Sequence, residues 1–175
     1  MNKKNILLIF GFGYTAKFMC QKFSKKNWEV FCTTRFKEKA KEIKSLNATP
    51  VFFYDEEKIE SILSKNSYIL STAPPENGKD PVIENYGYLF KKNSEKIKWA
   101  GYLSTTSVYG DKKGGWVTED TVLEPKLERS ISRVAAEKSW LRFGENSSIK
   151  TMIFRLAGIY GPGTVSYTHL RAHET

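Results

Sequence analysis

The residues best suited to chemistry begin where an apolar run, Asn5–Phe10, gives way to Gly11-Phe12-Gly13-Tyr14-Thr15-Ala16. This fits the pattern G-x-G-x-x-[GA] between a strand and a helix. Gly11 permits a tight turn, Gly13 lets the backbone approach a pyrophosphate, and Ala16 keeps helix and strand close. Free amides at the helix start then face the phosphates. The next polar cluster is Thr33-Thr34-Arg35. Sites that bind a ribose 2′-hydroxyl place an acid about 20 residues beyond the glycines, and none stands here. Arg35 instead offers a guanidinium that can pair with a 2′-phosphate in forked fashion, assisted by Thr34 and Lys37. These residues point to NADP(H) as cofactor, with NAD(H) second. Asp55 either contacts the adenine or caps the helix that begins at Glu56-Glu57.

Positioning these groups requires an alternation of buried strands and amphipathic helices, and the chain has it. Strands are expected at about Asn5–Phe10, Glu29–Thr33, Val51–Tyr54, Tyr68–Thr72, Trp99–Ser104 and Lys150–Arg155. Helices are expected at about Tyr14–Lys25, Lys37–Ser45, Glu57–Leu63, Pro81–Lys96 and Glu128–Phe143. In the first helix Ala16, Phe18, Met19 and Phe23 suit a buried face. The fold class is α/β: a Rossmann-type, doubly wound, mostly parallel sheet in a three-layer sandwich. In such sheets ligands lie beyond the carboxyl ends of the strands.

The charge of +9 over 175 residues raises the question of nucleic acid. The lysines are scattered in short doublets, and abundant Lys, Asn, Ile, Phe and Tyr suit an AT-rich genome, so nucleic acid is not expected as a partner. No apolar run approaches the roughly 20 residues needed to cross a membrane. Lys3-Lys4 followed by Ile6–Phe10 imitates a signal peptide. The run is short and lacks a small-residue cleavage site, so a buried first strand is the better reading. Cys20 and Cys32 lack the spacing of a metal or redox pair and suit a reduced, cytoplasmic protein. The oligomeric state is left open.

The last residues, Val165-Ser-Tyr-Thr-His-Leu-Arg-Ala-His-Glu-Thr175, read back as a transposase-type sequencing-library adapter. The expectation is therefore a truncated dinucleotide-binding domain over 1–164 and a non-native tail over 165–175. Both histidines, His169 and His173, fall in that tail, so no histidine chemistry or metal site is expected.

Two further segments carry a family resemblance. Leu103-Ser-Thr-Thr-Ser-Val-Tyr-Gly110 resembles the S-[ST]-x-x-V-Y-G segment of extended short-chain dehydrogenase/reductases. Arg155-Leu-Ala-Gly-Ile-Tyr-Gly-Pro-Gly163 resembles their R-x-x-x-[VI]-Y-G-P-G. Together with the glycine loop, and with Ser71-Thr72-Ala73-Pro74-Pro75 after the fourth strand, the chain is similar to an atypical epimerase/dehydratase-like subgroup. The resemblance implies cofactor contacts at Ser71, Thr72 and Ala73 and a C-terminal substrate lobe missing from this chain. It also implies a Ser or Thr that orients a substrate carbonyl, here Thr105.

The family's Y-x-x-x-K does not match. Arg129 occupies the Tyr position and Arg133 the Lys position, four residues before Glu137. Arginine stays protonated and exchanges no proton, though it can hold a ribose hydroxyl or an anionic group. Tyr109 is the nearest substitute phenol in sequence. The implied function is an NADP(H)-dependent oxidoreductase, epimerase or dehydratase acting on a small carbonyl or sugar-nucleotide substrate, with Thr105 and Arg133 in the reaction site. The alternative is a non-catalytic NADP(H)-binding sensor or regulator.

Overall fold

Apolar runs with little polar alternation call for a sheet buried on both faces. In a computed structural model that describes residues 4–164, β1 (Asn5–Phe10) is followed by α1 (Tyr14–Ser24), β2 (Trp28–Thr34), α2 (Lys39–Ser45), β3 (Thr49–Phe52) and α3 (Glu56–Leu63). The chain continues through β4 (Ser67–Ser71), α4 (Pro81–Lys92), β5 (Ile97–Thr105), a 3-10 turn (Thr106–Tyr109), α5 (Glu128–Ser147) and β6 (Thr151–Leu156). The six strands pair in the order β3-β2-β1-β4-β5-β6, all parallel. The order reverses between β1 and β4, which opens a crevice above their carboxyl ends. The expected tail lies outside the described residues.

Alternation along β1 sends Ile6, Leu8 and Phe10 to one face and Leu7 and Ile9 to the other. The first set packs with Ile59 and Ile62 of α3, Tyr86 and Phe90 of α4, and Trp140 of α5. The second packs with Ala16 and Cys20 of α1 and Ile43 of α2. Helices thus cover both faces, as a parallel sheet demands. Phe18, expected to be buried, is exposed and lies against Tyr14, with ring centres 4.9 Å apart. Cys20, a turn beyond Ala16, takes the buried place instead. Cys20 and Cys32 pack in the same buried cluster, a proximity their spacing does not reveal, and both remain free.

Element ends shift from expectation for local reasons. β3 starts earlier and includes Pro50, which the sheet tolerates because β3 is an edge strand. α4 stops at Lys92 rather than Lys96, closed by Asn93. α5 runs a turn beyond Phe143 to Ser147, and Ser148, with φ of 59°, breaks the helix.

Candidate active site

The bend after β1 is built from backbone. Gly11 has φ +92°, and a side chain there would lie 2.9 Å from Thr72 Oγ1 and 3.1 Å from Ala73 N. Both the conformation and the space call for glycine. Gly11 N–H donates to Thr33 Oγ1 at 3.0 Å, and Thr72 N–H donates to the Phe10 carbonyl at 2.8 Å. The Thr72 hydroxyl lies 3.1 and 3.2 Å from the Phe10 and Gly11 carbonyls, so it braces the bend. Gly13 is the N-cap of α1, with no side-chain cap, no acid in the first turn and open space where a Cβ would stand. The first-turn amides are therefore left for an anion, and the space beside Gly13 fits a pyrophosphate.

A crevice of about 380 Å³ runs from Gly11–Gly13 past Ala73 to Arg35 and Phe36. Thr34 lines it, but its hydroxyl accepts from Phe36 N–H at 3.1 Å and shapes the turn. Arg35, expected to be free for a ligand, is paired with Glu76, Nη1 to Oε1 at 2.8 Å. Lys39 lines this crevice and Lys37 does not. Asp55 is the N-cap of α3, its carboxylate accepting from Lys58 N–H at 3.0 Å; Phe53 and Tyr54 beside it face the crevice instead. Ser71 is fully buried in β4 and does not line the crevice.

Two further hollows continue toward β5 and α5. One, of about 270 Å³, holds Gly13, Tyr14, Thr15, Thr72, Thr105 and Arg133; the other, of about 860 Å³, holds Thr105, Ser107, Arg129 and Arg133. Shared residues join them to the first into one trough over the strand ends. Thr105 closes β5 and caps the 3-10 turn, accepting from Ser107 N–H at 3.2 Å, which leaves its own O–H to donate. Arg133 is half-buried and anchored: Nη1 donates to Tyr102 Oη at 3.0 Å and to the Leu103 carbonyl at 2.9 Å. Arg129 is exposed on the rim. The phenols of Tyr102, Tyr109 and Tyr14 are committed to other partners. Tyr102 is fully buried, and that burial pushes its pKa up to about 12 against the pull of Arg133. Tyr109 is buried and accepts from Arg155 Nη1 at 2.9 Å; Tyr14 donates to the Pro162 carbonyl at 3.3 Å.

The model of the NAD dependent epimerase/dehydratase family matches residues 7–173. The chain belongs to that family. A comparison with curated protein sequences gives no match. Among solved structures, the chain is similar to a functionally unknown conserved protein from Silicibacter pomeroyi, with 35% identity and a TM-score of 0.83 over 94% of this chain and 56% of that one. It is also similar to UDP-glucuronic acid 4-epimerase from Bacillus cereus in complex with NAD (23%, TM-score 0.71, 91% and 58%). UDP-N-acetylglucosamine 4-epimerase from Bacillus cereus is a third (17%, TM-score 0.78, 98% and 65%). The chain thus spans less than two thirds of the length of each.

Behind Thr105 lies an ion pair between α5 and β6 whose partners stand far apart in the sequence. Glu137, 2% exposed, accepts from Ser104 Oγ at 2.5 Å and from Arg155 Nη2 at 2.9 Å. Hydrogen bonding to Glu137 holds the Arg155 guanidinium still more firmly charged, and Arg155 also donates to the Glu119 carbonyl at 2.9 Å. The network ties α5 and β6 to Ser104, the residue before Thr105. Among the described residues no three His, Cys, Asp or Glu side chains gather to hold a metal, and no helix is long and apolar enough to cross a membrane.

Proposed function

We propose that this chain binds a nicotinamide dinucleotide along the trough and acts as an oxidoreductase, epimerase or dehydratase on a small carbonyl or sugar-nucleotide substrate. The observation that carries the reading is one continuous trough from the uncapped start of α1 to the Thr105 hydroxyl. The Gly11–Ala16 bend takes the diphosphate. Phe36 and Tyr54, both exposed aromatics on the crevice, flank the adenine. Arg35 and Lys39, with no acid at the end of β2, favour NADP(H). The nicotinamide ring, when bound, supplies hydride exchange at its C4. Thr105 orients and polarises the substrate carbonyl, and Arg133 holds a ribose hydroxyl or an anionic substrate group without exchanging a proton. The sugar-nucleotide epimerases of similar fold support this substrate class, and the free cysteines support a cytoplasmic setting.

Titration of the full-length protein with NADPH and NADH, followed by fluorescence, tests the cofactor. Failure to bind either one overturns the reading; NADH bound more than about tenfold tighter overturns the 2′-phosphate assignment alone. In a carbonyl-substrate screen Thr105→Ala is expected to lose about 100-fold in turnover, as loss of an oxyanion donor does. A second reading, a non-catalytic dinucleotide sensor, is favoured by the commitment of Tyr14, Tyr102 and Tyr109 to other partners. It gains if no carbonyl substrate turns over while NADPH still binds.

A further inference from the structure

The end of β2 lacks an acid in sequence, yet the crevice has one. Glu76 comes from the connection between β4 and α4, far from the segment where the ribose contact is read. That connection is stiff. Pro74-Pro75 follows β4, and Glu76 and Lys79 exchange backbone hydrogen bonds of 2.9 and 3.0 Å as a two-residue hairpin. Its central residues, Asn77 and Gly78, both have positive φ, 50° and 75°, as a type I′ turn requires. On the far side Asp80, 2% exposed, anchors the hairpin by accepting from Val82 and Ile83 N–H at 3.0 and 2.9 Å. The Glu76 carboxylate is thereby delivered against Arg35, and both line the crevice.

From these contacts we propose that Glu76 sets the choice between the two nicotinamide dinucleotides, working against Arg35. The inference rests on the dinucleotide reading above. A 2′-phosphate on the adenosine ribose would meet Arg35 and Lys39, but also a carboxylate already bonded to Arg35. It must displace Glu76 or bear its repulsion. A bare 2′-hydroxyl meets no such conflict, because it can donate a hydrogen bond to the Glu76 carboxylate. The wild-type chain therefore discriminates weakly, and the carboxylate limits a preference that Arg35 alone would make strong. Both side chains are nearly half exposed, 45% and 46%, so solvent screens the interaction and the effect is moderate.

The test measures dissociation constants for NADPH and NADH by fluorescence on the full-length protein. In Glu76→Gln, which keeps the size and an acceptor but removes the charge, NADPH is expected to bind about tenfold tighter, with NADH within about threefold of wild type. Arg35→Gln should weaken NADPH by at least about tenfold and leave NADH little changed. An affinity ratio in Glu76→Gln within about twofold of wild type overturns the proposal while the dinucleotide reading stands. A wild-type chain that binds neither nucleotide overturns both. Urea denaturation of each variant guards against misfolding; the hairpin backbone carries the turn, so Glu76→Gln should unfold as wild type does.

Discussion

The two ends of the trough are made of different material. Around β1 and β2 the site is backbone: a glycine at positive φ, a second glycine facing open space, and amides left without acceptors. Around β5, β6 and α5 it is side chain: Thr105 aimed by a turn, Arg133 pinned by Tyr102 and Leu103, and Glu137 buried among Ser104 and Arg155. A backbone site tolerates change at most positions and fails at one or two glycines. A side-chain site depends on partners brought from several elements, and each partner can be lost singly. The first half carries the glycine pattern, whereas in the second half arginines stand at 129 and 133.

The sharpest way to break this contrast is at Gly11. Gly11→Ala places a side chain at φ +92° against Thr72 and Ala73. Strain of about 3 kcal/mol is expected to cost roughly 100-fold or more in NADPH affinity, read by titration. Wild-type affinity in this variant would mean the bend does not hold the phosphates.

Glu137→Ala strikes the other half. Removing one partner of a buried pair leaves Arg155 uncompensated and is expected to cost about 3 kcal/mol in urea unfolding. The folded protein should still bind NADPH within about threefold of wild type, because the bend lies on other elements. A large loss of affinity would show that the halves are not independent.

Gly13→Ser is subtler. Serine suits an N-cap, so stability should change by less than about 0.5 kcal/mol. Its side chain enters the space assigned to the pyrophosphate, so affinity should fall about tenfold. Asp55→Ala should cost about 1 kcal/mol in stability through the lost cap on α3, with nucleotide affinity unchanged; a fall in affinity would restore the adenine contact.

An effect absent at neutral pH is alkaline. Burial holds Tyr86 and Tyr102 at about 12 against an ordinary value of 10.0. The native state keeps protons that the unfolded chain releases from pH 10 upward, so stability present below pH 10 is lost as pH rises through 12. Tyr102→Phe should flatten that slope in urea unfolding series between pH 9 and about 12, and a slope identical to wild type would refute the assignment.

What the sequence determined by itself is what local physics encodes. Short apolar runs name the strands and longer amphipathic stretches the helices, and their alternation implies the parallel sheet. Gly11 announces positive φ because no other residue enters it cheaply. Even here Phe18 misled, since an aromatic at helical spacing does not reveal whether Cys20 already fills the interface. Tertiary structure alone decided which side chains meet. Arg35 invites a 2′-phosphate in sequence, but a hairpin after β4 brings Glu76 onto it. Asp55 is equally an adenine contact or a cap until α3 claims it, and Ser71 follows its strand into the core. Glu137 and Arg155 stand in recognisable motifs, yet their joining beneath Ser104 requires α5 and β6 to pack on the same strand. A backbone angle is a property of one residue, whereas an ion pair needs two distant residues to be placed by everything folded between them.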